Sequence, residues 1–299
     1  MNGTPLVSVG LAFHNAQQTI EPAIRSILAQ TYPHWELIVF DDGSTDQGAE
    51  LLYRLVAKDP RVKVYRDQKR RGLAFRLNQV IDLANGRYIA RMDADDVCYP
   101  DRLACQLRFL EDRPDIDLVG TGAMVFAAEG SAIGLFPVRQ THANICAAPL
   151  SGFLLAHPTW MGRSEWFRRF RYCPKVQRAQ DQELLLRAYR DSRFAALPEP
   201  LLGYRQERIS LNATVRGRYH YAKALLRKGF AEHSYAFALK GMSAQIFRCS
   251  AAVLMSVVGA GDRLVSRRFL TPSNEQLVTW RRVWNLVNSS SSDAKQGNR

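Results

Sequence analysis

The 299-residue chain has few cysteines, and nothing in their placement suggests pairing. Cys98, Cys105, Cys146, Cys173 and Cys249 are odd in number and widely spaced, with no Cys-x-x-Cys pair and no Cys/His grouping. A disulfide framework and a thiolate zinc site are therefore not expected, and reduced thiols in a cytosolic protein are. Long apolar runs are also missing. The longest uncharged stretch in the C-terminal part, residues 249–261, falls short of the roughly 20 residues of a membrane span and reads as a buried or interfacial helix. The first residues lack the basic and apolar regions of a secretory leader. Internal repeats are absent as well.

What is present is ordinary for a globular chain, with 46% hydrophobic and 23% charged residues, and long enough for a sizeable core. Disorder is expected only at the ends, above all in the polar tail from Asn288 onward. The net charge of +13 is unevenly placed: residues 216–299 hold 14 Lys+Arg against 4 Asp+Glu, leaving the first 215 residues nearly neutral. Such a basic segment suits an anionic partner, either a membrane surface or a phosphate-bearing lipid. Nucleic acid is the less favoured partner because no nucleic-acid module is recognisable.

The first half alternates strand and helix signals. Residues 6–12, 36–40, 62–65 and 88–92 read as strands. Residues 19–30, 49–57 and 73–84 carry apolar positions at helical spacing. This order predicts an α/β fold with a doubly wound, mainly parallel sheet, whose ligands bind where strands end. Two acidic clusters fall at such ends: Asp41-Asp42-Gly43-Ser44 and Asp93-Ala94-Asp95-Asp96. Either alone reads as a turn or a helix cap. Together, at successive strand ends, they suggest chemistry. Three carboxylates within four residues repel one another unless a cation joins them. Hard divalent cations, Mn2+ or Mg2+, take such oxygen ligands together with substrate phosphates.

These blocks resemble glycosyltransferase family 2, the inverting enzymes of GT-A fold. The likeness runs over about residues 6–210. It includes Ser26-Ile27-Leu28-Ala29-Gln30-Thr31-Tyr32-Pro33, Trp35 to Val39, Asp41-Asp42-Gly43-Ser44-Thr45-Asp46, Gly72-Leu73-Ala74 with Arg76 and Asn78, and the run from Ala84 to Asp96. The resemblance implies a nucleotide-sugar donor, probed by Asp41 and Asp42 at base and ribose, by Asp93 near ribose and sugar, and by Arg76 at the diphosphate. It makes Asp95 the metal ligand. The first strand of the family usually ends in Pro-Thr-Tyr-Asn. Here Ala12-Phe13-His14-Asn15 stands in its place, so Ala12 and Phe13 are expected to touch the donor partly through backbone. Asp181 takes the position of the catalytic base, with Gln180 where a Glu is usual and Glu183 as second candidate. His157 and Trp160 fall on the acceptor side, Trp166 is a further candidate for stacking on sugar, and Arg205 closes the block as a donor contact. Arg87 and Arg91 read as solvated or structural.

The expected organisation is a GT-A catalytic domain over residues 1–215, with a nucleotide-binding half to about 117 and an acceptor half to 215. A basic helical extension with a disordered tail follows over 216–299. The expected reaction moves a hexose or N-acetylhexosamine from a nucleotide-diphosphate sugar, UDP-linked by preference, to a hydroxyl of a saccharide or lipid-linked saccharide. The expected setting is cytoplasmic, extending to the cytoplasmic face of a membrane. An inactive nucleotide-sugar-binding protein would lack a usable base. A nucleotidyltransferase would carry a Gly-rich basic loop in the first strand–helix turn, which residues 12–18 do not have.

Overall fold

The computed structural model describes residues 3–206, 211–257 and 269–289. Four parallel strands form its first half: β1 (Val7–Phe13), β2 (Trp35–Asp42), β3 (Val62–Asp67) and β4 (Tyr88–Asp93). They are joined through α1 (Ile20–Leu28), α2 (Gly48–Val56) and α3 (Leu73–Leu83). After β4 come β5 (Val97–Cys98), α4 (Arg102–Asp112), β6 (Leu118–Phe126), β7 (Ala132–Leu135), α5 (His142–Ile145) and a 3-10 turn at His157–Thr159. Then follow β8 (Met161–Arg163), α6 (Ser164–Arg169), α7 (Gln180–Ala188) and β9 (Phe194–Arg205). The chain closes with α8 (Leu211–Ala231), α9 (Tyr235–Val257) and a last helix, α10 (Asn274–Asn288).

One nine-stranded sheet runs β3-β2-β1-β4-β8-β6-β9-β5, with β7 beside β6. The β1–β4 pairings are parallel, as the strand–helix alternation requires, whereas β8 and β5 pair antiparallel with their neighbours. β2 is buried along its whole length, the mark of a strand covered on both faces. One face is covered by the apolar sides of α1, α2 and α4, where Ile20, Ile24, Leu52 and Leu107 join Val9 and Leu37. The other is covered by α3, α6, α7 and α8, where Leu77, Phe167, Leu184 and Leu225 join Ile38 and Ile89. The parallel register brings Phe13, Asp41 and Asp93 level at the carboxyl edge: Phe13 pairs with Asp41, and Ala12 with Asp93. Both acidic clusters therefore open on one rim of the sheet.

The division at residue 215 needs correction. Helix α8 is part of the body, with Tyr221, Ala224 and Leu225 in the same core as Phe153 and Leu184. Helix α10 returns to the sheet and builds a third core from Trp280, Val283 and Val287 against Tyr99, Met124, Phe126 and Leu201. Trp280 is 1% exposed and donates its indole N–H to the Gly130 carbonyl. It lies so close over β9 that a Cβ at Gly203 would run into its ring. Only long-range packing reveals this, since the basic composition of the segment points to an appendage. The tail expected to be disordered lies, from residue 290 on, outside the described residues, as does the 258–261 end of the uncharged stretch. Among the described residues no helix is long and apolar enough to cross a membrane.

Candidate active site

The loop after β4 concentrates acid. One oxygen each from Asp93, Asp95 and Asp96 lies within 4.8 Å of the others. Asp96 is 1% exposed; its Oδ1 accepts the Arg205 backbone N–H at 2.9 Å, and its Oδ2 is buried with no hydrogen-bond partner. Burial, then the charges of Asp95 and Asp93, push its pKa well above the usual carboxylate range. Asp95 opens to solvent at the loop, yet the crowding of protein around it and the Asp93 charge push it up to about 6. Three carboxylates this close together, with one buried oxygen unfilled, fit a divalent cation.

Asp93 is steadied from its own strand. Arg91, two residues earlier and so on the same face of β4, donates to Asp93 Oδ1 and is 4% exposed. Its Nε and Nη1 are buried without hydrogen-bond partners. Of the two readings of Arg91, solvated or structural, the buried position supports the structural one. The available signal was its even spacing from Asp93 in a strand whose neighbours are all apolar. Arg102, 1% exposed, ties the end of β4 to the 3-10 turn by donating to the Arg91 and Pro158 carbonyls at 2.8 and 2.9 Å.

Asp93 stands between two recesses. The smaller, about 570 Å³, is lined by residues 12–19, Asp46, Ala94 and Asp95. Ala12 and Phe13 border it, but the Phe13 ring belongs to the core, so the backbone and the smaller neighbours form the surface. The larger, about 1100 Å³, runs from Arg71 and Gly72 past Arg91 and Asp93 to His157 and Asp181, with Tyr204, Arg216 and His220 at its walls.

Asp181 sits in the first turn of α7, where the helix dipole favours a carboxylate. Its Oδ2 accepts from Gln182 Nε2 at 3.0 Å. Gln182 is itself fixed at both ends to the Phe153 backbone, accepting from its N–H at 2.7 Å and donating to its carbonyl at 3.2 Å. The preceding Ala179 has φ of 57°, a left-handed conformation uncommon for a residue with a Cβ. Glu183 is taken out of contention: Arg187 grips both of its oxygens at 2.6 and 3.0 Å. His157 borders the cleft, with Nε2 at 2.7 Å from the Tyr172 hydroxyl. Burial, and then Arg91, hold its pKa well below the usual value, so the ring is neutral near pH 7.

Several expected contacts have other employment. Trp160 is fully buried with its ring in the core and its indole N–H on the Leu155 carbonyl, so it cannot stack on an acceptor sugar. Trp166 is likewise core, bonded to Ser192. Arg76 is 1% exposed, and its guanidinium is occupied by Asp42, Asp67, Gln79 and the Lys69 carbonyl. It braces the 67–72 segment and does not face a diphosphate. Arg205 lies over the rings of Phe126 and Trp284 and donates to the Asp95 and Ala128 carbonyls. It holds the acidic loop from behind. Asp42 accepts from the Arg71 and Gly72 backbone and from Arg76. Burial alone would raise its pKa, but these bonds keep it lowered. Asp41 is fully buried; Oδ1 takes the Ser44 N–H at 2.8 Å and Oδ2 lies 3.2 Å from Arg66 Nε without a hydrogen bond.

A sequence model described as glycosyl transferase family 2 matches residues 8–170. The chain belongs to that family. Among the relatives of this glycosyltransferase, EpsE of Bacillus subtilis (strain 168), named as a glycosyltransferase, is 34% identical over 212 residues, spanning 69% of this chain and 75% of its own. WbnJ of Escherichia coli, named as an O-antigen biosynthesis glycosyltransferase, is 31% identical over 228 residues, spanning 75% and 88%. Among solved structures, S. aureus TarS 1-349 in complex with UDP-GlcNAc superposes with a TM-score of 0.58 at 18% identity, over 74% of this chain and 66% of that one. The mannosyltransferase PcManGT from Pyrobaculum calidifontis, in complex with GDP-Man and Mn2+, gives 0.56 at 18%, over 100% and 89%. At such identities the structures establish the fold alone, and the fold of this glycosyltransferase is GT-A.

Proposed function

We propose that the enzyme transfers a hexose or N-acetylhexosamine from a nucleotide-diphosphate sugar, UDP-linked by preference, to an acceptor hydroxyl with inversion. The observation that carries the reading is the position of Asp93, which borders both recesses while Asp181 stands on the wall of the larger one. The smaller recess suits the nucleoside, and the larger suits the sugar and the acceptor. Asp41 is fully buried beside Arg66 and lines neither recess, so it would act on the base only from behind the rim. Relatives that bind UDP, UDP-GlcNAc and GDP-Man support a nucleotide-sugar donor, and a relative holding Mn2+ supports a divalent cation.

In this reading Asp181 accepts the proton of the acceptor hydroxyl as the oxygen attacks the anomeric carbon. Gln182 fixes the direction of that carboxylate. A bound divalent cation would neutralise charge on the departing diphosphate, and Asp95 with Asp93 would hold it. Arg91 orients Asp93, and neutral His157 with Tyr172 offers hydrogen bonds to the acceptor side. The acceptor in this reading is a saccharide or lipid-linked saccharide of cell-surface polysaccharide assembly at the cytoplasmic side of a membrane; the name of WbnJ, for O-antigen biosynthesis, supports a polysaccharide setting.

A panel of UDP- and GDP-sugars with Mn2+ or Mg2+, read by nucleoside diphosphate release, tests this directly. Release is expected with at least one donor, and Asp181→Asn is expected to lower it by about 100-fold or more while UDP binding persists. Release unaffected in Asp181→Asn would remove Asp181 from the role of base. No release from any donor, with a lipid-linked acceptor supplied, would remove the proposed reaction.

A further inference from the structure

Helices α8 and α9 form an antiparallel hairpin joined by a short turn at residues 232–234. Its inner side is firmly seated. Tyr221 and Leu225 enter the main core, Ala238 is 3% exposed against Gly229, and buried Gln245 donates to the Leu150 carbonyl at 2.6 Å. The outer side of α9 is different. Tyr235, Leu239 and Ile246 are 59%, 64% and 60% exposed, and Val253 continues their line at 40%. At 3.6 residues per turn these four fall along one stripe, with Phe247 and Leu254 beside it. Phe247 is 75% exposed, and Phe230 at the end of α8 adds a further ring to the same tip, in contact with Tyr235.

The charges of the hairpin have one sign. Over residues 211–257 there are seven Lys+Arg and a single acid, Glu232, which is tied to Arg190 and Lys228. Lys240 and Arg248 are both exposed, on the side of α9 beyond Phe247 and Leu254. A second copy of the chain docked through this face would bring like charges together. A surface that is apolar within and anionic without satisfies both features at once.

We propose that the α8–α9 hairpin docks on an anionic lipid bilayer, with the α9 stripe entering the headgroup boundary and the exposed basic residues of the hairpin meeting lipid phosphates. The same hairpin carries Arg216 and His220 on the wall of the large cleft, so docking sets the mouth of the cleft beside the membrane. Only the use of that placement, delivery of a lipid-linked acceptor, rests on the proposed transfer reaction. The docking itself is measured without catalysis.

The test is flotation of the full chain with vesicles of phosphatidylglycerol and phosphatidylcholine, compared with phosphatidylcholine alone. Binding is expected only with the anionic mixture and is expected to weaken in 0.5 M salt. The variant L239S/I246S/F247S is expected to bind at least about tenfold more weakly. Its melting temperature and its nucleoside diphosphate release without vesicles should be unchanged. K240Q/R248Q should weaken binding mainly at low salt. Undiminished binding of the triple variant would overturn the proposal, as would failure of the parent protein to float. A parent protein that is dimeric in solution and becomes monomeric in the triple variant would overturn it too, by assigning the face to a second copy. If no donor is turned over while flotation behaves as expected, the reaction falls and the docking stands.

Discussion

Two acidic clusters end the strands on either side of β1, and they are electrostatic opposites. At the end of β2, Asp42 has three donors and a lowered pKa, and Asp41 has the Ser44 N–H and the Arg66 guanidinium within reach. After β4, Asp95 and Asp96 have raised pKa values, and Asp96 keeps a buried oxygen with no hydrogen bond. Residue type and place in the fold are the same, so neither explains the difference. What differs is the supply of cations and N–H groups. Asp42 has received its counter-charge from Arg76 during folding and serves as scaffold. In the 93–96 loop only Asp93 has an ion-pair partner among the described residues, Arg91, and a buried Asp96 oxygen has no hydrogen bond, which is the arrangement that the proposed cation would complete.

The sharpest way to break this contrast is to neutralise one member of each cluster. Asp95→Asn is expected to lower turnover by about a hundredfold or more and to abolish the rise in melting temperature on adding Mn2+, with the fold retained. A variant with full turnover would place the metal elsewhere. Asp42→Asn should act on stability instead. It leaves the buried Arg76 guanidinium with Asp67 as its only carboxylate partner, and denaturant unfolding should show a loss of about 3 kcal/mol. A loss of well under 1 kcal/mol would mean that the Asp42 cluster is no scaffold.

Stability against pH separates the clusters more gently. Asp95 is raised from 3.8 to about 6 and Asp96 is raised as well, so over this range these carboxyls bind protons that the unfolded chain has released. Without metal, these carboxyls should therefore raise the melting temperature as pH falls from 7 toward 5, against the opposite pull of His157, so the parent is compared with Asp95→Asn, which should lack the carboxyl part of the rise. Asp42 works in the other direction. Its contribution is complete above the ordinary aspartate value and is lost only as pH falls through its lowered pKa. With saturating Mn2+ the carboxyl part of the rise between pH 7 and 5 should vanish, because protons then compete with the ion. Differential scanning fluorimetry with EDTA and with Mn2+ reads both curves; identical curves would unseat the acidic loop as the ion's site.

Sequence reading located the parallel half of the sheet because each element there is local. Ile20, Ala23, Ile24 and Ile27 mark a helix face by spacing alone, and Leu37 to Phe40 mark a strand by composition. It also put both acidic clusters on the correct edge. It failed where a residue's role depends on partners distant in the chain. Arg76 and Arg205 look like free cations in one dimension, but their partners arrive through a loop and through β4's far end. Trp160 reads as a sugar platform until the 3-10 turn buries it. The bulk of α10 is concealed by its basic neighbours, and nothing local tells that Trp280 has a seat prepared over Gly203.

That last helix gives the molecule an order of assembly. Arg205 holds the Asp95 carbonyl while lying over Phe126 and Trp284, and Trp284 is supplied by α10. The acidic loop thus leans, through one arginine, on a segment made long after it. A growing chain can complete the parallel sheet early, yet Arg205 gains the Trp284 ring beneath it only once α10 is made and seated.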